Sequence, residues 1–179
     1  MPKYVALLRA INVGGHTVKM DRLRFLFESL GLLNVETFIA SGNVIFDSKS
    51  KNTKVLQKKI ESYLLETLGY EVATFIRSTS ELVDVARYKP FLAEELETKG
   101  NVLYIGFLDD LPSDEAREKL LDFTSEVDDF HVCGREVYWL CRTKMSESRF
   151  SGAQLEKTFG MRATFRNSTT VKKIALKYP

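Results

Sequence analysis

The sequence contains few of the residues on which metal sites and redox centres are built. Its 179 residues include only two cysteines, two histidines and one tryptophan. No group of Cys, His or carboxylate residues has the spacing of a metal site, so we predict neither a metal ion nor a cofactor. The Walker A pattern and the Gly-x-Gly-x-x-Gly fingerprint are also absent, which excludes two well-known nucleotide-binding loops. His131 is predicted to be a packed or surface residue, and His16 is a weak candidate for a general acid or base.

Long hydrophobic runs are absent as well. A membrane-spanning helix needs about 20 consecutive apolar residues, and no segment of this sequence approaches that length. The apolar stretch at residues 4–8 is followed at once by Arg9 and is too short for a signal peptide. We therefore predict a cytoplasmic protein that does not engage a membrane.

The two cysteines, Cys133 and Cys141, are predicted to be buried, reduced thiols. Gly134-Arg135 lies between two strand-like apolar runs, which is typical of a tight hairpin turn. In that hairpin Cys133 stands opposite Glu136, and Cys141 lies about 25 Å away at the far end of its strand. A disulfide cannot span this distance.

Apolar periodicity predicts the same order of elements twice. In the first half, strand-like runs and two apolar stripes at helical spacing alternate in the order βαββαβ. The order recurs after residue 100, and one more amphipathic helix follows. We therefore predict an α+β fold, a tandem duplication of ferredoxin-like βαββαβ units with an extra C-terminal helix. The predicted boundaries are residues 1–77 for the first unit, 78–100 for a connecting helix and loop, and 101–179 for the second unit plus the C-terminal helix.

Charge is distributed unevenly along the chain, although the net charge is only +2. Residues 1–27 carry +4 and residues 142–179 carry +7, whereas residues 28–141 carry −9. A run of charge is usually solvated surface. The alternative is that the two basic ends of the chain meet and form one surface that attracts anions.

The segment of residues 9–20 joins the first strand to the first helix and is longer than such a connection requires. Gly14 and Gly15 would let backbone N–H groups approach a ligand without side-chain obstruction. The start of the helix, with Arg9 and Lys19, adds positive charge. A Gly-Gly bend in a purely structural loop is the alternative.

Five short motifs, spread over the whole chain, form a recognisable set. They are Arg9-x-Ile11-Asn12-Val13-Gly14-Gly15, Lys19-Met20, Ile39-x-Ser41-Gly42-Asn43-Val44, Ser148-Arg149-Phe150-Ser151 and Thr164-x-Arg166-Asn167-x-x-Thr170-Val171. The set resembles the domain-of-unknown-function 1697 family, uncharacterised bacterial cytosolic proteins. The resemblance implies a duplicated ferredoxin-like architecture and supplies no reaction. Family members usually carry Gly where this chain has Ala10, so we expect a special backbone conformation there to be relaxed.

The polar and basic members of these motifs are all hydrogen-bond donors. Arginine forks and backbone amides suit phosphate or carboxylate. We therefore predict that a small anionic ligand, a phosphorylated or carboxylated metabolite or nucleotide, binds between the N-terminal Gly-Gly loop and the basic C-terminal segment. The predicted ligand-binding residues are Arg9, Asn12, Gly14, Gly15, Lys19, Ser41, Asn43, Arg149, Ser151, Lys157, Arg166 and Asn167.

Other interpretations fit the same residues. Ser41-Gly42-Asn43 also suits a turn, and Arg166-Asn167 a helix cap. The whole chain would also serve as a protein-interaction or regulatory module without catalysis. A nucleic-acid-binding module is a further alternative, which the basic ends permit and the absence of an aromatic RNP1-like strand disfavours. Enzymes and binding proteins are equally compatible with these motifs.

Overall fold

The structure, a computed structural model, describes residues 1–12, 14–39 and 42–179. The chain divides into two units, Met1–Val83 with Ile174–Pro179, and Asp84–Lys173. Each unit contains a four-stranded antiparallel sheet, and the described residues include seven α-helices. The predicted α+β class is therefore confirmed. No helix in the described ranges is long and apolar enough to cross a membrane.

The first half of the chain follows the predicted order βαββαβ and continues into a helix. Its elements are β1 (Lys3–Leu8), α1 (Met20–Ser29), β2 (Leu33–Thr37), β3 (Asn43–Asp47), α2 (Thr53–Leu68), β4 (Thr74–Ser78) and α3 (Thr79–Arg87). The strands are arranged in the order β2-β3-β1-β4. Every residue from Tyr4 to Leu8 is buried, as expected for an unbroken apolar run in an inner strand.

The second half repeats this order. After a short helix α4 (Ala93–Glu97), its elements are β5 (Val102–Leu108), α5 (Asp114–Leu121), β6 (Asp128–Cys133), β7 (Glu136–Cys141), α6 (Gly152–Phe159), β8 (Ala163–Asn167) and α7 (Ser168–Lys177). The strands are arranged in the order β6-β7-β5-β8.

The two sheets also agree in the register of their strands. Val5 pairs with Arg77 on β4, and Ile105 pairs with Arg166 on β8. On the opposite side of these strands, Tyr4 pairs with Phe46 and Tyr104 with Trp139. A buried arginine and an aromatic pair therefore occupy equivalent places in each unit.

The helix that follows the last strand is common to both halves. Ser78 and Glu81 form a capping box at the start of α3: the Ser78 N–H donates to Glu81 Oε2 at 2.7 Å, and the Glu81 N–H donates to Ser78 Oγ at 3.1 Å. At the start of α7, the Thr169 N–H donates to Asn167 Oδ1 at 2.9 Å. The predicted extra C-terminal helix is therefore the counterpart of α3 in the repeat.

The predicted hairpin at Gly134-Arg135 is confirmed, with Cys133 opposite Glu136. Both cysteines are free thiols. Cys141 is buried, whereas Cys133 is exposed, so the prediction of burial is wrong for Cys133. It is the last residue of β6, beside the turn, and burial decreases along the strand toward this end.

The core of the second unit is centred on Trp139. Its ring lies within 5.1–6.4 Å, centroid to centroid, of four aromatic rings: Tyr104, Phe130, Phe150 and Phe165. The indole N–H donates to Oδ1 of the buried Asp128 at 2.8 Å, and Ser148 Oγ donates to Oδ2 at 2.6 Å. The carboxylate is thereby satisfied by side-chain donors, as a buried charge requires.

Candidate functional site

The connection between β1 and α1, residues 9–19, is called the N-terminal loop below. Backbone hydrogen bonds fix the end of β1 and the first residue of the loop beside the starts of β3 and β4, the two strands that flank β1. The Leu8 N–H donates to the Gly42 carbonyl at 2.8 Å, and the Arg9 N–H donates to the Ala73 carbonyl at 2.9 Å. Because Gly42 and Ala73 directly precede β3 and β4, the loop leaves the first sheet at the end where these two strands begin.

Two buried residues and one side chain then hold the loop in shape. Ile11 and Val18 are buried, and the Val18 N–H donates to Asn12 Oδ1 at 2.7 Å. Asn12, a predicted ligand-binding residue, thus closes the loop across six positions. Residues 14–17 between these anchors are exposed.

Among the described residues of the loop, the backbone is left-handed at three positions. Ala10, Gly14 and Gly15 have φ values of +54°, +63° and +82°. The expectation that the backbone is relaxed at Ala10 is wrong, because Ala adopts there the conformation that Gly favours. A Cβ added at Gly14 or Gly15 would meet no described atom within 4 Å. Positive φ rather than crowding therefore explains the two glycines, and the space beside them is open.

An aromatic pair supports the exposed part of the loop. The His16 ring stacks on the Tyr70 ring with centroids 3.8 Å apart and planes inclined by 20°. The Tyr70 hydroxyl donates to the Ile11 carbonyl at 3.2 Å. Tyr70 was not among the predicted residues, because only the fold brings it beside a loop more than fifty positions earlier.

Positive charge lies at both ends of the loop. Lys19 is exposed and is the N-terminal cap position of α1, which no side chain in the described ranges caps. The first N–H groups of a helix carry partial positive charge. Arg9 is partly buried at the other end. Asp21 in the first turn opposes this field, and it lies 3.6 Å from Nη2 of Arg24.

The Ser41-Gly42-Asn43 motif contributes to the structure of the turn beside the loop. Asn43 is buried, and its Nδ2 donates to the Phe38 carbonyl at 3.0 Å. Gly42 has φ +80°, and an added Cβ would stand 2.9 Å from Ile11 Cγ2, so only glycine fits there. Ser41 lies outside the described residues.

In the second unit, two predicted ligand-binding residues begin helices. Ser151 caps α6: its Oγ accepts from the Gln154 N–H at 3.3 Å, and Gln154 Oε1 accepts from the Ser151 N–H at 3.0 Å. Asn167 accepts from the first turn of α7, as described above. Both side chains therefore satisfy backbone groups that a helix start leaves unpaired.

Arg166 is a buried part of the second sheet. Its Nη1 donates to Thr164 Oγ1 at 3.0 Å and to the Phe165 carbonyl at 2.9 Å. Burial lowers the pKa of Arg166 to about 10, so the guanidinium is still protonated at neutral pH. Its counterpart Arg77 likewise donates to the preceding carbonyl, that of Ile76, at 3.0 Å. The repetition indicates a role of this arginine in the sheet.

The two remaining predicted cations of the C-terminal segment are exposed. Arg149 borders a groove that also contains Asp122, Glu126 and Glu147, so its surroundings are acidic. Lys157 borders a second groove, formed by α5 and α6, together with Lys119, Asp122, Phe123, Gln154 and Thr158.

The structure thus groups the predicted residues in two sets. Arg9, Asn12, Gly14, Gly15 and Lys19 share one loop of the first unit, with Asn43 at the neighbouring strand. Arg149, Ser151, Lys157, Arg166 and Asn167 belong to the second unit. Among the described residues, no three His, Cys, Asp or Glu side chains are grouped so that they could hold a metal ion.

Comparison with known proteins agrees with the motifs. No curated protein matches the chain. Among solved structures, the chain is similar to the conserved bacterial protein SP0830 from Streptococcus pneumoniae, with 22% identity and a TM-score of 0.75 over 99% of both chains. At this identity the likeness concerns the fold. The family model described as "Protein of unknown function (DUF1697)" matches residues 1–138, which include the N-terminal loop. The chain therefore belongs to the DUF1697 family.

Proposed function

We propose that the protein binds a small anionic ligand, a phosphorylated or carboxylated metabolite or nucleotide, at the N-terminal loop. The observation that carries the proposal is the exposed Gly14-Gly15 segment, with open space beside both α-carbons, between Arg9 and Lys19. Exposed backbone N–H groups, the start of α1 and two cations all favour negative charge at this place.

The expected gain in stability is large enough to measure. Hydrogen bonds to charged groups contribute roughly 1.5–3 kcal/mol each. A ligand present at about 100 times its dissociation constant stabilises the folded state by about 2.7 kcal/mol. An anion that occupies the loop should therefore raise the melting temperature.

Thermal unfolding with inorganic phosphate, pyrophosphate and sulfate tests the proposal. Each anion is compared with sodium chloride at matched ionic strength, because salt screening alone also shifts stability. The variants Arg9→Ala, Lys19→Ala and Gly15→Ala should reduce the shift. Lys58→Ala is the matched control, because Lys58 is an exposed lysine on α2 of the same unit.

The comparison concerns the shift that the anion produces, so a change in basal stability does not obscure it. The natural chain and Lys58→Ala should respond alike, and the three loop variants less. Equal shifts in all five proteins would mean that the loop binds no anion.

The contribution of the second unit remains a prediction from the charge distribution. Arg149→Ala and Lys157→Ala test it in the same assay, since both side chains are exposed and can be removed without loss of buried contacts. Arg166→Ala is a poorer test, because it removes a buried group.

We also infer that each unit is ferredoxin-like. The support is the order βαββαβ together with the strand arrangement β2-β3-β1-β4, in which β3 separates β1 from β2, and its repetition as β6-β7-β5-β8. An experimental structure in which either sheet had another order of strands would refute this assignment.

A further inference from the structure

The exposed part of the N-terminal loop is supported by two stacked aromatic rings. Tyr70 packs against the core of the first unit and is partly buried. The His16 ring lies on the Tyr70 ring, with centroids 3.8 Å apart and planes inclined by 20°. The bond from the Tyr70 hydroxyl to the Ile11 carbonyl, 3.2 Å long, fixes the orientation of the phenol. The imidazole is therefore held flat on a support that is anchored in the core.

The outer side of this stack is open to solvent. His16 is exposed although one face of its ring lies on Tyr70, so its accessible surface is at the opposite face and the ring edges. Within the described ranges, the His16 side chain makes no hydrogen bond and no ion pair. Planar rings attract one another when they stack with an offset. The open face of His16 is therefore a place where a planar ring of a ligand can stack.

The second unit carries a different residue at the place of the tyrosine. Gly69 and Gly160 end α2 and α6 in the same left-handed conformation, with φ values of +82° and +64°. The next residue is Tyr70 in the first unit and Met161 in the second. The connection after the first strand of the second unit, residues 109–113, is short. The tyrosine therefore accompanies the long loop, and the repeated arrangement of strands and helices does not require it.

The open face of the imidazole adjoins the proposed anion site. His16 directly follows Gly14 and Gly15 in the loop, and all three residues are exposed. Because consecutive α-carbons are only about 3.8 Å apart, one small ligand can reach the backbone N–H groups of the glycines and the ring of His16 together. Such a ligand needs an anionic group and a planar ring joined by a short linker. Phosphate, sugar and base of a nucleoside monophosphate have this arrangement.

We propose that the ligand of the N-terminal loop is a free nucleotide, whose phosphate binds at Gly14 and Gly15 and whose base stacks on His16. This inference rests on the anion-binding function proposed above and narrows the ligand to one class. Stacking on an aromatic side chain tolerates different bases, because every base has a π-face. A sugar phosphate or a simple carboxylate would leave the His16 ring uncovered. A nucleic-acid strand is bound by stacking successive bases along a groove, whereas a single imidazole takes one base.

The dissociation constants of AMP, ribose 5-phosphate and inorganic phosphate, measured by calorimetry or NMR titration, test the proposal. AMP and ribose 5-phosphate share the phosphate and the sugar, so the difference between them reports the contribution of the base. AMP should bind the natural chain about tenfold more tightly than ribose 5-phosphate, because the base stacks on an aromatic ring. All titrations are made at one ionic strength set with sodium chloride, since screening weakens every anion.

Variants separate stacking on the base from support of the loop. His16→Ala should weaken AMP about tenfold, to the affinity of ribose 5-phosphate, and should leave ribose 5-phosphate unchanged. His16→Phe keeps a planar ring and should keep the preference for AMP. Tyr70→Met introduces the residue that the second unit carries at this place, and it should reduce the preference because the imidazole loses its support. His131→Ala removes the other histidine of the chain and, as the matched control, should bind both ligands like the natural chain.

The outcomes distinguish failure of this inference from failure of the anion site. Ribose 5-phosphate that binds as tightly as AMP would overturn the assignment to a nucleotide and leave the anion site standing. If none of the three compounds binds, the anion site is refuted, and the nucleotide with it. Equal weakening of both ligands by His16→Ala would show that the stack only holds the loop. Hexa-adenylate that binds far more tightly than AMP would assign the loop to a nucleic acid, against the proposal.

Discussion

The two units share their strand register but differ in the connection between first strand and first helix. Eleven residues, 9–19, join β1 to α1, whereas five residues, 109–113, join β5 to α5. The long loop has Arg9 and Lys19 at its ends, and the short one begins with two aspartates, of which Asp109 lies 2.9 Å from Nε of Arg162. The two units therefore share the arrangement of their sheet and differ in the length and charge of one loop. Binding groups are commonly placed in this way, on loops above a rigid sheet.

The largest effect on stability is expected at the equivalent aromatic positions. Trp139→Ala should lower the free energy of unfolding by about 3–5 kcal/mol through lost apolar contacts. The buried Asp128 carboxylate would also lose its indole donor, which costs about 1–3 kcal/mol more. Phe46→Ala, at the same place in the first sheet, should show only the loss of apolar contacts. Urea denaturation measures both, and equal losses would contradict the importance given to the bond between Trp139 and Asp128.

A smaller effect is expected at a strand pair in which the two sheets carry side chains of different size at equivalent positions. Ala6 faces Ile76 in the first sheet, and Gly106 faces Phe165 at the equivalent place in the second. A Cβ on Gly106 would stand 2.8 Å from Phe165 Cε1. Gly106→Ala should therefore cost about 1–2 kcal/mol of unfolding free energy.

Coupling between the two positions is the sharper measurement. Gly106→Ala with Phe165→Ile recreates the pair of the first unit, so the double variant should be more stable than the sum of the single effects by about 1 kcal/mol. Additive effects would show that the side chains at positions 106 and 165 contribute independently to the free energy of unfolding.

Substitution of Ala10 by Gly should have a still smaller effect on the free energy of unfolding. It should stabilise the protein, whereas Ala-to-Gly substitutions usually destabilise it. Ala at positive φ is disfavoured by roughly 1 kcal/mol, so Ala10→Gly should raise the free energy of unfolding by about 0.5 kcal/mol. Ala153→Gly, at an exposed site in α6, should lower it by about 0.5–1 kcal/mol. Thermal unfolding compares the two variants. A loss of stability at Ala10 as large as that at Ala153 would contradict the left-handed backbone.

The smallest expected effect depends on pH and concerns Glu36. The hydrogen bond from Tyr178 and the neighbouring Lys177 hold the pKa of Glu36 below its usual value. A depressed folded-state pKa stabilises the protein above the unfolded value, near pH 4.5, and this stabilisation is lost as the pH falls through the folded-state pKa. Because Glu36 is largely exposed, Glu36→Gln should cost only a few tenths of a kcal/mol at pH 7. The cost should decrease as the pH falls through the folded-state pKa of Glu36, and a cost independent of pH would contradict the assignment.

Much of the local structure could be predicted from the sequence. The capping box of Ser78 with Glu81 and the hairpin at Gly134-Arg135 depend on side chains within a few residues of one another, so their patterns are visible in the sequence. The order of strands and helices could also be predicted, because apolar periodicity reports which face of each element is buried.

Contacts between distant parts of the chain could not be predicted. The stacking of His16 on Tyr70 and the bond between Tyr88 and His131 join residues more than forty positions apart. The exposure of Cys133 depends on what packs at the end of a strand, which composition does not reveal.

The candidate site illustrates a different limit. The motifs pointed to hydrogen-bond donors for a ligand, but Asn12, Asn43, Ser151 and Asn167 bond to backbone groups of their own units. A polar residue at a loop or helix start suits a cap and a ligand equally well, because both need the same groups. Only the partners in the structure distinguish the two roles.

The position of Trp139 gives the protein a built-in optical probe. It is the sole tryptophan, it is buried among aromatic rings, and its indole N–H points at a carboxylate. Tryptophan fluorescence, excited selectively, will therefore follow the unfolding of the second sheet. The first sheet has no tryptophan and contributes nothing to this signal. Circular dichroism follows both sheets together. Coincident fluorescence and dichroism curves would show that the two halves of the chain unfold as one cooperative unit.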